Sequence, residues 1–423
     1  MRNSWTLFLL LATFSLSAQH FSNRKVLRLL KDIPIFEQAH IAFRLEPLYG
    51  DKPIAAYQDT HYMTPASNTK LLTFLAAIQE FDSLPTLAYF QENDSLIHFK
   101  STGYPLLFHP FYQDDSLASF FNQKKVWNYH PPKRPINAHG PGWSWDDYSY
   151  YYAAERSPFP IYGNTTQIFG NPDNPQFLPK YFQNQLILDS LVRDFHREPN
   201  QNKFRYNPAV LNLKDTLYRP FITDDLLFVN LLKEAINQPV ILEKEQENLP
   251  WKNVYTHQES LLYRGLLQDS DNGIAEALLA MISENRFGEM TIPKVLDSIQ
   301  SGWKPWLPDT IEWVDGSGIS RYNMTTPRTL IAILKQINNQ IGIQGIKTYF
   351  PESTLSGTLK NYPLKNVFAK TGTLRHNHNL SGYWISPKGP IYVFSIMVNH
   401  FTSPTNEVRK GISELLLRLQ KKL

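Results

Sequence analysis

The sequence predicts an α+β domain, an antiparallel sheet covered by helices, interrupted by a large insertion. Three observations lead there. Strand-length apolar runs lie near both ends of the chain, at 40–48 and 54–58 and again at 366–373, 380–386 and 391–398. Neither set alone is large enough to build a sheet with a covered face, so the two ends are expected to share one. Between about 85 and 215 the character changes to short strand candidates, dense aromatics and proline clusters (131–135, Pro158, Pro160). The expected organisation is a signal peptide at 1–18, a main domain from 19–84 together with 250–423, and inserted domain material at 85–249.

Taken in order, Arg2 precedes the apolar run Trp5 to Leu16, and Ser17 and Ala18 follow it. This has the form of a secretory signal, and the run is too short for the roughly 20 apolar residues that span a bilayer. No transmembrane segment is expected after its removal. Residues 23–33 read as an amphipathic helix, and the runs at 40–48 and 54–58 as a strand pair turning near Gly50. Pro65 suits a first helical turn, and Leu71, Leu72, Leu75 and Ile78 form the stripe behind it, which places Ser67 where free N–H groups favour negative charge. Helices are expected at 224–238, 259–268 and 273–283, after Thr325 or Thr326 from Pro327, and from about Asn406.

The chain has 423 residues, 42% apolar and 19% charged, with 42 basic and 38 acidic side chains giving a net charge of +4. A small net charge with no block of like charges makes nucleic acid a poor partner. The absence of cysteine removes disulfides, thiolate metal sites and thiol chemistry.

Three short motifs carry the chemistry. Ser67-Asn68-Thr69-Lys70 sets a hydroxyl and an amine on one helix face, and apolar neighbours would lower the Lys70 pKa enough to make it a base. Ser270-Asp271-Asn272 falls between two helices, where the Ser270 hydroxyl can pass a proton to a leaving group and the Asn272 amide can hold the lysine and a substrate amide. Lys370-Thr371-Gly372-Thr373 lies in a strand. There Lys370 brings positive charge to a substrate carboxylate, Gly372 leaves room for a peptide beside the strand, and the Thr373 hydroxyl can bind that carboxylate. The N–H groups of Ser67 and Thr373 would form an oxyanion hole. Each motif is common by itself; their order, each in the required helix, junction or strand, is what gives them weight.

In that order the motifs resemble those of the penicillin-recognising serine enzymes, and within them the D-alanyl-D-alanine carboxypeptidase/endopeptidase family of the penicillin-binding protein 4 type, peptidase family S13. Pro65 to Leu71, Asp269 to Asn272, Asp315 to Arg321 with Asn323, Gly357-Thr358-Leu359 and Lys370 to Thr373 match its segments, and Trp143-x-Trp145-Asp146-Asp147 looks like its loop from the inserted domain. Ser67 and Ser270 stand about 200 residues apart, a far longer gap than in class A β-lactamases. The resemblance implies a penicillin-binding transpeptidase/β-lactamase-like domain and a periplasmic serine D-Ala-D-Ala carboxypeptidase acting on peptidoglycan stem peptides. It also implies acylation by β-lactam antibiotics, no cofactor, and cleavage of D-alanyl-diaminopimelate bridges by some members. Catalytic roles fall on Ser67, Lys70, Ser270, Asn272 and Lys370, and substrate contacts on Thr371, Gly372 and Thr373.

Asp146 and Asp147, on an aromatic loop, are candidates for the free amine of a diaminopimelate side chain. Asp315 and Arg321 are expected to brace the loop beside the site through a salt bridge. His376 and His378 read as loop residues near the cleft, without a third ligand at a defined spacing for a metal. Rival readings are an esterase or D-amino-acid amidase on the same scaffold, favoured by turnover of small D-amino esters, and a non-catalytic cell-wall-binding protein.

Overall fold

The computed structural model describes residues 21–134, 136–243 and 249–423; the expected signal peptide at 1–18 lies outside them. The two ends of the chain build one five-stranded antiparallel sheet. Its order is Val367–Leu374, Asn377–Ile385, Ile391–Asn399, His40–Pro47 and Ala55–Tyr57. The central strand explains why this sheet is buried on both sides. Val393 and Met397 enter one core, while Phe394, Ile396 and Val398, of opposite parity, enter the other, as the two-residue period of a strand requires.

Helices Asn23–Lys31 and Thr405–Gln420 cover the second face, with Val26, Leu29, Val408, Ile412 and Leu416 turned inward. The first face carries Lys70–Glu80, Asn272–Phe287 and Pro327–Tyr349. The last begins as its sequence predicts, with Thr326 Oγ1 accepting from Thr329 N at 3.2 Å and Pro327 in the first turn. Among the described residues, no helix is long and apolar enough to cross a membrane.

The region between carries its own five-stranded mixed sheet, ordered Val240–Leu242, Val126–His130, Leu96–Ser101, Pro85–Gln91 and Lys252–Tyr255. The last strand lies just past residue 249, so the inserted sheet is closed by chain already returning to the helices. Two three-stranded sheets lie farther out, Leu217–Pro220 with Thr165–Asn171 and Asn174–Leu178, and Leu186–Leu188 with Phe204–Tyr206 and His196–Arg197. Helix Asp225–Ile236 is capped by Asp224, whose Oδ1 accepts from Leu227 N at 2.7 Å, and ends at Asn237 in the left-handed region.

The insertion is clamped to the helical half by a buried ion pair. Arg156 donates to Glu276 Oε2 from Nε at 2.8 Å, and Glu276 Oε1 accepts from Ser317 N at 2.8 Å. Both side chains are at most 4% exposed, so removing one partner strands a charge away from water. Arg156→Met is expected to cost about 3–5 kcal/mol of unfolding free energy in urea melts, and adding Glu276→Gln to recover much of it.

Candidate active site

Ser67 is not in the first turn of an α-helix. It sits in a 3-10 turn, Ala66–Thr69, that leads into helix Lys70–Glu80. Ala66 at φ 49° turns the chain sharply just before it, and Gly318 allows the loop opposite to close on that turn, since a Cβ there would stand 2.0 Å from Ala66 O. The turn is pinned to the sheet by amides. Asn68 Nδ2 donates to Ser381 Oγ at 2.8 Å, and Asn379 Nδ2 to Thr64 O at 2.9 Å and Pro65 O at 2.8 Å.

The i, i+3 spacing brings Lys70 Nζ to 3.2 Å from Ser67 Oγ. The amine is fully buried and has two further partners, Asn272 Oδ1 at 2.6 Å and Ser317 O at 2.7 Å. Burial pulls its pKa down to about 8, against the opposing pull of Asp315, Asp271 and Glu276.

The second motif follows a π-helical turn, Gly265–Asp269, and Ser270 itself lies in the left-handed region at φ 64°. Asp271 caps the next helix, Oδ1 accepting from Ile274 N at 2.9 Å. This frees Ser270 and Asn272 to project from the same bend. Lys370 Nζ donates to Ser270 Oγ at 2.8 Å, and burial, then the charge of Lys70, holds its pKa well below the usual lysine range.

Gly372 also serves a packing role that its sequence does not suggest. A Cβ there would stand 2.3 Å from Pro65 O and 3.1 Å from Ser67 N, so glycine is what lets the Lys370 strand lie against the Ser67 turn. Thr371 Oγ1 donates to Thr358 Oγ1 at 2.8 Å, and Thr373 Oγ1 meets His378 Nδ1 at 2.8 Å.

The inserted loop reaches the site through Tyr152, whose carbonyl accepts from Asn272 Nδ2 at 2.7 Å and whose hydroxyl donates to Asp147 Oδ1 at 2.8 Å. Asp147 is thus tied to the rim of the site. Asp146 instead accepts from Ser144 Oγ at 3.4 Å. A cavity of about 600 Å³ opens beside Ser270 and Asn272, walled by Tyr112, Tyr151 and Tyr152.

Two expectations need correction. Asp315 does not pair with Arg321. It is fully buried and accepts from Gly318 N, Ser320 N, Asn323 Nδ2 and Trp143 Nε1 at 2.7–2.9 Å, which leaves no lone pair in want of a guanidinium. Burial, then the charge of Glu276, pushes its pKa up. Arg321 lies exposed and donates to Arg375 O at 3.2 Å. His378 is not a loop residue either: it belongs to strand Asn377–Ile385 and is fully buried, while His376 holds the tight turn before it at φ 69°.

Sequence reasoning missed Arg156, Glu276, Ser317 O, Tyr152 and the Tyr112 hydroxyl that donates to Asp269 Oδ2 at 2.9 Å. Ser317 sits in a recognisable segment and Glu276 on the helix that Asn272 opens; Arg156, Tyr152 and Tyr112 meet their partners across more than a hundred residues of chain and leave no local signal.

A buried amine beside a serine at a helix entrance, a serine–asparagine bend and a lysine strand on a covered antiparallel sheet define a penicillin-recognising serine enzyme. The D-Ala-D-Ala carboxypeptidase 3 (S13) family matches over residues 22–86 and 259–419, just over half of the chain. The chain belongs to this family, and with it to the serine-type D-Ala-D-Ala carboxypeptidases. It is 22% identical to D-alanyl-D-alanine carboxypeptidase DacB of Haemophilus influenzae, over 94% of this chain and 92% of that protein. A shorter match, 31% identical over 32% of this chain and 27% of the relative, is to the D-alanyl-D-alanine carboxypeptidase of an Actinomadura strain. Among solved structures, penicillin-binding protein 4 of Haemophilus influenzae superposes with a TM-score of 0.74 at 18% identity, covering 95% of this chain and 100% of that one. The predatory peptidoglycan endopeptidase Bd3459 of Bdellovibrio bacteriovorus gives 0.52 at 12% identity, over 91% and 93% of the two chains.

Gly372→Ala is expected to push the strand off the Ser67 turn and slow acylation by benzylpenicillin about 100-fold, the cost of a misplacement near 1 Å. Stopped-flow or quenched mass measurement of adduct formation reads it directly, with circular dichroism as the check on folding.

Proposed function

We propose that Ser67 is the nucleophile and Lys70 its general base, in a hydrolysis that removes the terminal D-alanine of a peptidoglycan stem peptide. The observation that carries this reading is the partner set of Lys70 Nζ. A neutral amine has two N–H donors and one lone pair. Asn272 Oδ1 and Ser317 O can accept the two donors, and the lone pair is left for the Ser67 hydroxyl proton. In the charged form the same three oxygens accept three donors, so the lysine stays satisfied before and after it takes the proton.

Ser67 Oγ then attacks the carbonyl between the two D-alanines, the oxyanion resting on the N–H groups of Ser67 and Thr373. As the C–N bond breaks, D-alanine leaves with a proton passed through Ser270, which Lys370 Nζ orients at 2.8 Å. Water releases the acyl group from Ser67. Lys370 and Thr373 hold the substrate carboxylate, Thr371 contacts the substrate beside them, and Gly372 lets the strand carry the substrate past Ser67. Asn272 holds the substrate's acyl amide, with Asp147 and its neighbour Asp146 toward a side-chain amine. The same steps on a D-alanyl-diaminopimelate bridge would be an endopeptidase reaction.

A substrate in the cell wall supports a periplasmic location, with residues 1–18 as the export signal. The two matched blocks, 22–86 and 259–419, support a catalytic domain from 19–84 with 250–423 around an insertion at 85–249.

Incubation with benzylpenicillin is expected to add one antibiotic mass to the peptide containing Ser67, and Ser67→Ala to add none and release no D-alanine. Because the base must be deprotonated, acylation should rise about tenfold per pH unit below pH 8 and level off above it. A rate flat from pH 6 to 9 would remove Lys70 from this role.

A further inference from the structure

On the face of the sheet that carries the C-terminal helix, a line of hydrogen bonds ends at Thr373. Thr373 and His378 are direct cross-strand partners, and their side chains meet at 2.8 Å between Thr373 Oγ1 and His378 Nδ1. The other ring nitrogen, Nε2, is bonded to the Tyr362 hydroxyl. His378 and Tyr362 are fully buried, whereas Thr373 is exposed. The Arg409 guanidinium stands beside the phenol, 5.7 Å from its ring centroid.

Proton accounting gives this line a direction. Burial raises the Tyr362 pKa, so the phenol keeps its proton. A guanidinium donates and never accepts, so Arg409 cannot take that proton, and His378 Nε2 is its acceptor. Burial, then the charge of Arg409, lowers the His378 pKa to about 3 and keeps the ring neutral. A neutral imidazole has one N–H, which must then be on Nδ1, where it donates to Thr373 Oγ1. The hydroxyl proton of Thr373 is left over. Thr371, the other hydroxyl of the motif, donates to Thr358.

We infer that His378, with its tautomer set by Tyr362, is a positioning residue that keeps the hydroxyl proton of Thr373 free to point into the cleft, making this hydroxyl a donor selective for a free terminal carboxylate. With the opposite tautomer Thr373 would give its proton to the ring and turn lone pairs toward a carboxylate, which repels. The inference rests on the proposed reading of the site, since it assumes that the substrate carboxylate lies at Thr373.

The test compares acylation rates of the full chain by benzylpenicillin, which carries a free carboxylate, and by its methyl ester, which does not. In His378→Leu the free-acid rate should fall about 10- to 100-fold, the range for a hydrogen bond to a charged group, while the ester rate changes less than about twofold. His378→Asn, which keeps an N–H near the position of Nδ1, should restore most of the preference. Tyr362→Phe releases the tautomer and should lower the ratio of the two rates by a smaller factor; it decides the matter if His378→Leu does not fold. Equal losses with both compounds would make His378 merely structural, and an unchanged ratio in either variant would overturn the inference while leaving Ser67 acylation intact. Failure of the unaltered protein to be acylated by either compound would instead overturn the proposed function, and the inference with it.

Discussion

The burial of one amine organises this molecule. A lysine removed from water costs far more than a typical contact returns unless each of its donors finds an oxygen. The oxygens that Lys70 finds come from three separate stretches of chain: its own entrance turn, the bend at Asn272 and the loop at Ser317. Satisfying the amine therefore fixes the relative positions of segments about 200 residues apart. The acids beneath it extend this constraint outward. Glu276 holds Ser317 N on one side and Arg156 of the insertion on the other, and Asp315 holds its own loop and Trp143. The insertion thereby supports Lys70 from behind as well as walling the cleft.

Backbone conformations that most side chains avoid occur at two of the three motifs. Ala66 at φ 49° precedes Ser67 and Ser270 at φ 64° is itself a member of the second motif. Each is over-determined by its surroundings: Gly318 and Gly372 close on the first, and Gly357, whose Cβ would stand 2.4 Å from Gln268 O, closes on the second. Such residues persist only where neighbouring structure holds them, and the energy they store is spent on aiming two hydroxyls at two lysines.

How much of this was legible in the sequence follows from range. The Ser67–Lys70 pair, the strand of Lys370, the cap at Thr326, the helix starting at about Asp224 and the sharing of one sheet by both chain ends all rest on local spacing or on the two-residue and helical periods. Those features survive translation into structure nearly residue for residue. The Arg156–Glu276 pair, Trp143 on Asp315 and Tyr152 on Asn272 depend on which surfaces meet, and no local pattern encodes that. Nearness in sequence misled in the case of Asp315 and Arg321, because a carboxylate roofed by four N–H groups has no need of the adjacent cation. His378 shows a subtler failure. Two histidines with one residue between them read as a loop, yet the tight turn at His376 returns the chain so soon that His378 already lies in the next strand.

The Val367–Leu374 strand forms one edge of its sheet. Exposed edges are ordinarily a hazard, since unpaired main-chain groups invite the strands of other molecules. Here the edge is closed at one end by a bridge from Glu352 to Phe368, while the Ser67 turn packs on the face beside it, leaving only a short length open. A guest in extended form can align there through its main chain, which every peptide possesses regardless of its side chains. Aggregation and recognition thus draw on the same unpaired groups, and what separates them is how few residues of the edge remain uncovered.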